Sequence, residues 1–141
     1  MKVLLHRTLV AMSVCAIGTA VLCGCQPTDV RRFRVSGRAT FDGKDLPAGR
    51  IYFEPDSARG NSGAAGYAAI VDGRFDTALD GKGSIGGPMI VRVTGHERQA
   101  NPNDESPVAM YVRDYEESAD FPQQDTEWNV TIPKERGVKT R

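Results

Sequence analysis

The chain has 141 residues, with 18 basic and 18 acidic side chains, two histidines and three cysteines. This length fits one domain plus a short leader, and the balanced charge excludes a nucleic-acid binder of the usual kind, which needs a clustered positive surface. Fifteen glycines and eight prolines, with no sustained 3.6-residue periodicity, point to a turn-rich β protein.

Residues 1–24 begin with a positive stretch, MKVLLHR, carrying Lys2 and Arg7. Thr8 to Gly24 then run without a formal charge, slightly short of the ~20 residues of a comfortable membrane span and close to a signal peptide's apolar region. The run ends in Leu22-Cys23-Gly24-Cys25, which resembles the bacterial lipobox. The resemblance implies cleavage after Gly24, a diacylglycerol thioether on Cys25 and acylation of the new amine. Cys23 departs from the Ala or Ser commoner at its position. An uncleaved anchor and an ordinary secretory signal are the competing readings. A disulfide or metal site at Cys23 and Cys25 is disfavoured, because the third cysteine, Cys15, lies in the same apolar run. Each buried methylene contributes ~0.8 kcal/mol, so two or three acyl chains hold a domain firmly at a bilayer. Loss of residues 1–24 removes Lys2 and Arg7, leaving 16 basic against 18 acidic residues. Gln26 after the lipidated cysteine is compatible with the outer membrane, on its periplasmic side or at the surface.

Residues 25–32 form a short linker, and Arg31, Arg32 and Arg34 stand where they can meet either solvent or anionic headgroups. Residues 33–133 are expected to be the domain. RFRVSGRATF alternates, with Phe33, Val35, Ala39 and Phe41 on one face, and Asp42-Gly43 then makes a tight turn. RIYFE puts Ile51 and Phe53 inward before Pro55. GYAAIVDGRFDT is a hairpin with Asp72-Gly73 at its tip. PMIVRVTG carries Met89, Val91 and Val93 on one face, and TEWNVTIP carries Trp128, Val130 and Ile132 inward. The segment from Val108 to Ser118 reads equally as a short helix or as loop and strand. Six or seven short strands at this spacing suggest an antiparallel sandwich. About 117 residues from Cys25 onward suffice for a core without metal or disulfide. Residues 134–141 form a polar, basic tail expected to fray.

Several neighbouring motifs agree in order. VSGRATFDGKDLPAGRIYFEPD, GYAAIVDGRFDT and GKGSIGGPMIVRVTG together resemble the transthyretin-like, carboxypeptidase-regulatory-like domains of secreted bacterial lipoproteins, planctomycetes especially. The likeness covers most of residues 33–132. It implies a prealbumin-like (transthyretin-like) sandwich of about seven strands without chemistry of its own. The related hydrolases of hydroxyisourate carry several histidines and end in Tyr-Arg-Gly-Ser. This chain ends GVKTR, so that activity is not implied.

The remaining motifs carry little chemistry. Gly81 to Gly86 spell G-x-G-x-x-G, but Gly87-Pro88 and a strand follow in place of the helix that would hold a pyrophosphate. His96 beside Glu97 is the one histidine after residue 24, with no nucleophile or second histidine to complete a site. Asp114, Glu116, Glu117 and Asp120 lack the spacing of a calcium loop. Tyr111 and Tyr115 would stack a sugar ring if exposed, and otherwise pack against the domain. The expectation is therefore a lipid-anchored envelope module that binds or scaffolds another protein or a polysaccharide, with no metal and no cofactor. A carbohydrate-binding module is the runner-up.

Overall fold

The computed structural model describes residues 30–138. Cys25 and the cleavage point after Gly24 lie outside them. Ten strands follow in order: β1 (Val35–Phe41), β2 (Lys44–Asp45), β3 (Ala48–Pro55), β4 (Gly66–Val71), β5 (Arg74–Asp76), β6 (Gly81–Lys82), β7 (Gly87–His96), β8 (Met110–Phe121), β9 (Thr126–Glu127) and β10 (Val130–Ile132). They form one curled sheet in the order β10-β1-β5-β4-β3-β7-β8, with β2 and β9 on β1 and β6 on β4. Among the described residues no helix is long and apolar enough to cross a membrane.

The two Asp-Gly dipeptides make the expected tight turns. Asp42 and Gly43 have φ of 52° and 75°, and Asp72 and Gly73 have φ of 48° and 74°. Two consecutive positive φ values match the twist of the flanking strands, which is why these dipeptides sit there. Period-two alternation then buries Ile51 and Phe53 on β3 and Met89, Val91 and Val93 on β7, all fully enclosed. The Phe53 ring meets Phe121 edge-on at 5.4 Å and Phe75 at 6.2 Å.

Three details differ from expectation. TEWNVTIP is not one antiparallel strand; it is β9 and β10, both parallel to β1. A parallel partner cannot come from a hairpin, and the whole chain between β1 and β9 serves as the crossover. The interruption at Trp128 falls where its backbone N–H donates to Ser36 O at 2.8 Å. Trp128 itself is half-buried rather than enclosed, edge-on to Phe121 at 5.5 Å. Phe41 is likewise half-buried, stacked on Tyr111 at 6.0 Å.

The ambiguous segment is a strand. β8 pairs with β7 over its length, but the register shifts twice, between Val93 and Gly95 and between Gly95 and His96. Asp114, at φ 49°, lies in the first shift and Tyr111 in the second. The end expected to fray is ordered as far as residue 138. Lys134–Arg136 form a 3-10 turn, Gly137 bridges to Val112, and Val138 N–H donates to Tyr111 O at 2.8 Å. This segment ties β8 to the chain leaving β10, joining the two ends of the curled sheet at one point.

Chain entry is at the opposite end. Phe33 bridges to Ser84, three residues before β7 begins at Gly87, whereas β7 ends at His96 beside Ala48.

Candidate functional site

The outer face of the sheet carries the side chains that alternation turns away from the core. One cross-strand row runs Lys82 on β6, Tyr67 on β4, Tyr52 on β3, Arg92 on β7 and Glu116 on β8. The Tyr52 and Tyr67 rings lie 6.5 Å apart with a 45° tilt. Tyr67 is 38% exposed, and the Arg50 guanidinium sits 5.9 Å from its centroid. Arg92 pairs with Glu116 and reaches Glu54 at 3.2 Å. Among the described residues Arg50 and Lys82 have no carboxylate partner.

Beside this row a groove of about 410 Å³ opens at the His96 end of β7. Its polar lining is Arg50, Tyr52, Thr94, His96, Arg98 and Gln99, and no carboxylate belongs to it. The loop after β7 forms one wall. Gln99 Nε2 donates to Ile70 O at 2.9 Å, and Arg98 is held by Asp104 at 3.2 Å and Ser106 O at 3.1 Å. The Ser106 hydroxyl and N–H hold the Asp104 carboxyl below the usual carboxylate range, so the loop carries its own fixed anion.

The residues singled out in the sequence are dispersed. His96 lines the groove without a side-chain hydrogen bond to Glu97 among the described residues, whose own N–H donates to Ala109 O. Tyr111 is 38% exposed and stacks on Phe41 with one face. Tyr115 packs against the core, lies under the Arg136 guanidinium at 5.6 Å and donates its hydroxyl to Glu117 at 3.1 Å. Burial first, and the Glu117 charge second, push that phenol up. The acidic cluster divides between two faces. Glu116 and Asp120 lie outward, paired with Arg92 and Arg59, whereas Glu117 is opposite the buried Val91. Among the described residues no group of three or more His, Cys, Asp or Glu is placed to hold a metal ion. The G-x-G-x-x-G segment makes β6 and passes into β7 with Gly86 and Gly87 both at positive φ. At Gly81 a β-carbon would stand 2.0 Å from Tyr67 O, so a glycine here lets β6 approach β4.

Arg32 and Arg34 serve the fold. Arg32 Nη1 donates to Gly83 O at 2.7 Å, and Arg34 Nε donates to Asp76 Oδ1 at 2.9 Å. That second pair lies in a wider concavity of about 520 Å³ on β1, β5 and β4, where Leu79 is 85% exposed. The Arg34 guanidinium, helped by Ala78 N–H, holds the Asp76 carboxyl below the usual carboxylate range. A depressed folded-state pKa contributes stability above the unfolded value of ~3.9, lost as pH falls through the folded value. Urea midpoints at pH 7 and pH 3 should therefore differ less for Asp76→Asn than for the wild type. An unchanged difference would mean that this pair adds nothing.

Tyr52, Tyr67 and Arg50 were missed in the sequence because Arg50 and Tyr52 on β3 meet Tyr67 on β4 only across the loop between the two strands. The chain matches no protein-family model, no curated protein and no solved structure.

Proposed function

We propose that this chain is a lipid-anchored module of the cell envelope that binds or scaffolds another envelope component and does no chemistry of its own. Its fold on this reading is a prealbumin-like sandwich, supported by the all-β curled sheet and by the order of its turns and strands. The anchor is Cys25, supported by the apolar leader and the Leu-Cys-Gly-Cys sequence. The observation that carries the binding role is the outer face, where two tyrosines and an unneutralised arginine adjoin a groove free of carboxylates. His96 stands in that groove beside Thr94, and among the described residues no acid is hydrogen-bonded to it, an arrangement suited to contact rather than proton transfer.

The runner-up, sugar binding through Tyr111 and Tyr115, has less support, because Tyr115 packs against the core and Tyr111, though 38% exposed, lines neither concavity described above. In-cell cross-linking of a tagged chain, followed by mass spectrometry, tests the binding role. A recurring protein or glycan captured by the wild type and lost in Tyr67→Ala supports it, and recovery of nothing above background sinks it. The anchor has its own test. Cys25→Ser should leave the protein unacylated and either soluble or retained as precursor, whereas a mature, membrane-bound variant would refute lipidation.

A further inference from the structure

We infer that the groove at the His96 end of β7 and the adjoining Tyr52–Tyr67 step form one binding site for an anionic glycan, a chain carrying uronate carboxylates. This deepens the binding-module reading above and rests on it. Tyr52 and Arg50 belong to both parts: both line the groove, Tyr52 is 6.5 Å from the Tyr67 ring, and Arg50 lies over that ring. The site is therefore continuous from the Lys82 edge of the face into the pocket.

The charge of the ligand follows from the lining. Arg50, Arg98 and His96 face the groove, whose lining contains no carboxylate, and of the two arginines only Arg98 is neutralised, by Asp104 on the loop behind it. Arg50 thus offers a planar fork of donors without a partner, the geometry that receives a carboxylate through two parallel hydrogen bonds. Thr94 and Gln99 add neutral groups that match hydroxyls, one of them a donor–acceptor and the other an amide.

The polymer class follows from the floor. β3, β4 and β7 are interior strands, each paired on both sides, so the floor of the groove presents no open strand edge. A peptide recognised by strand addition needs an open edge, which the strands of the groove floor lack. The floor therefore presents side chains: aromatic rings for the apolar faces of pyranose rings, polar and cationic groups for their rims. A nucleic acid is disfavoured by the net charge, 16 basic against 18 acidic residues after residue 24.

The test is calorimetric titration of the full chain in detergent micelles with oligogalacturonate, alginate and hyaluronan fragments, each set beside neutral glucan and galactan fragments of equal length. At least one acidic glycan should bind, and the neutral fragments should bind at least about tenfold more weakly. Arg50→Gln removes the free charge and should weaken binding by roughly tenfold to a hundredfold. Tyr67→Ala should weaken it as well, and melting curves of both variants should match the wild type, since both side chains sit on the surface. Equal affinity for neutral and acidic fragments, or no effect of Arg50→Gln, overturns the inference. So does equal binding of a polyglutamate peptide, or failure of every acidic glycan to bind. If cross-linking captures a protein through Tyr67 while no glycan binds, the module reading stands and this inference falls.

Discussion

Replacing Phe53 with alanine is expected to cost about 3–5 kcal/mol, the range for deleting a fully buried aromatic ring. Phe53 has no exposure and stands at the meeting point of the two halves of the curled sheet, with Phe121 from β8 on one side and Phe75 from β5 on the other. Neither neighbour can move into the vacancy without leaving its own strand, so the cavity persists and its cost approaches the upper part of the range. In a domain this size each kcal/mol shifts the melting temperature by roughly 4–8 °C, which places the fall at about 20 °C or more. A calorimetric scan of the variant reads it directly. A loss of only a few degrees would mean that the rings pack loosely and that the sheet halves are held by their hydrogen bonds instead.

Gly37→Ala is expected to cost about 3–5 kcal/mol for a different reason. A β-carbon at Gly37 would lie 1.7 Å from Trp128 O, a backbone atom with nowhere to go. Relief requires β9 and β10 to move off β1, which breaks the bonds from Trp128 N–H to Ser36 O and from Arg38 N–H to Asn129 Oδ1. Each lost bond costs ~1 kcal/mol and overpacking adds ~1–3. Gly43→Ala is the control, because nothing lies within 4 Å of its added methyl and only the positive φ is strained. It should cost about 1 kcal/mol. Equal midpoints for the two variants in urea would show that the β1–β9 approach is not tight.

These two sites also show what was legible. Phe53 was placed inward from alternation alone, because Ile51, Phe53 and the Asp-Gly turns obey rules that act within a few residues. Gly37 gave no signal, since its constraint comes from Trp128, more than ninety residues away. β8 hid for another reason: its two register shifts insert residues at Tyr111 and around Asp114, so its polar and apolar positions fall out of phase with both the strand and the helix period. The outer site was illegible for the same reason as Gly37. Tyr52 and Tyr67 become neighbours through pairing in register, which depends on the turn geometry between β3 and β4. Tyr111 and Tyr115 looked better because four residues separate them, yet the strand packs Tyr115 against the core and its bulge leaves Tyr111 38% exposed, stacked on Phe41.

The entry of the chain at Phe33, beside Ser84, has a further consequence for a tethered molecule. Five residues from Cys25 to Val30 span at most ~18 Å when fully extended, a short leash. β7 leads away from that entry for ten residues, roughly 33 Å, and the groove lies at its far end. With Cys25 in a bilayer, the loops around Ala64 and Gly83 would face the headgroups, and the groove would stand out towards whatever fills the space beyond. For such an anchored chain, leash and strand together would set a working radius of about 50 Å from the membrane surface. Every anchored copy would sample the same thin layer, so even a weak site would meet an immobile polymer there at high local concentration.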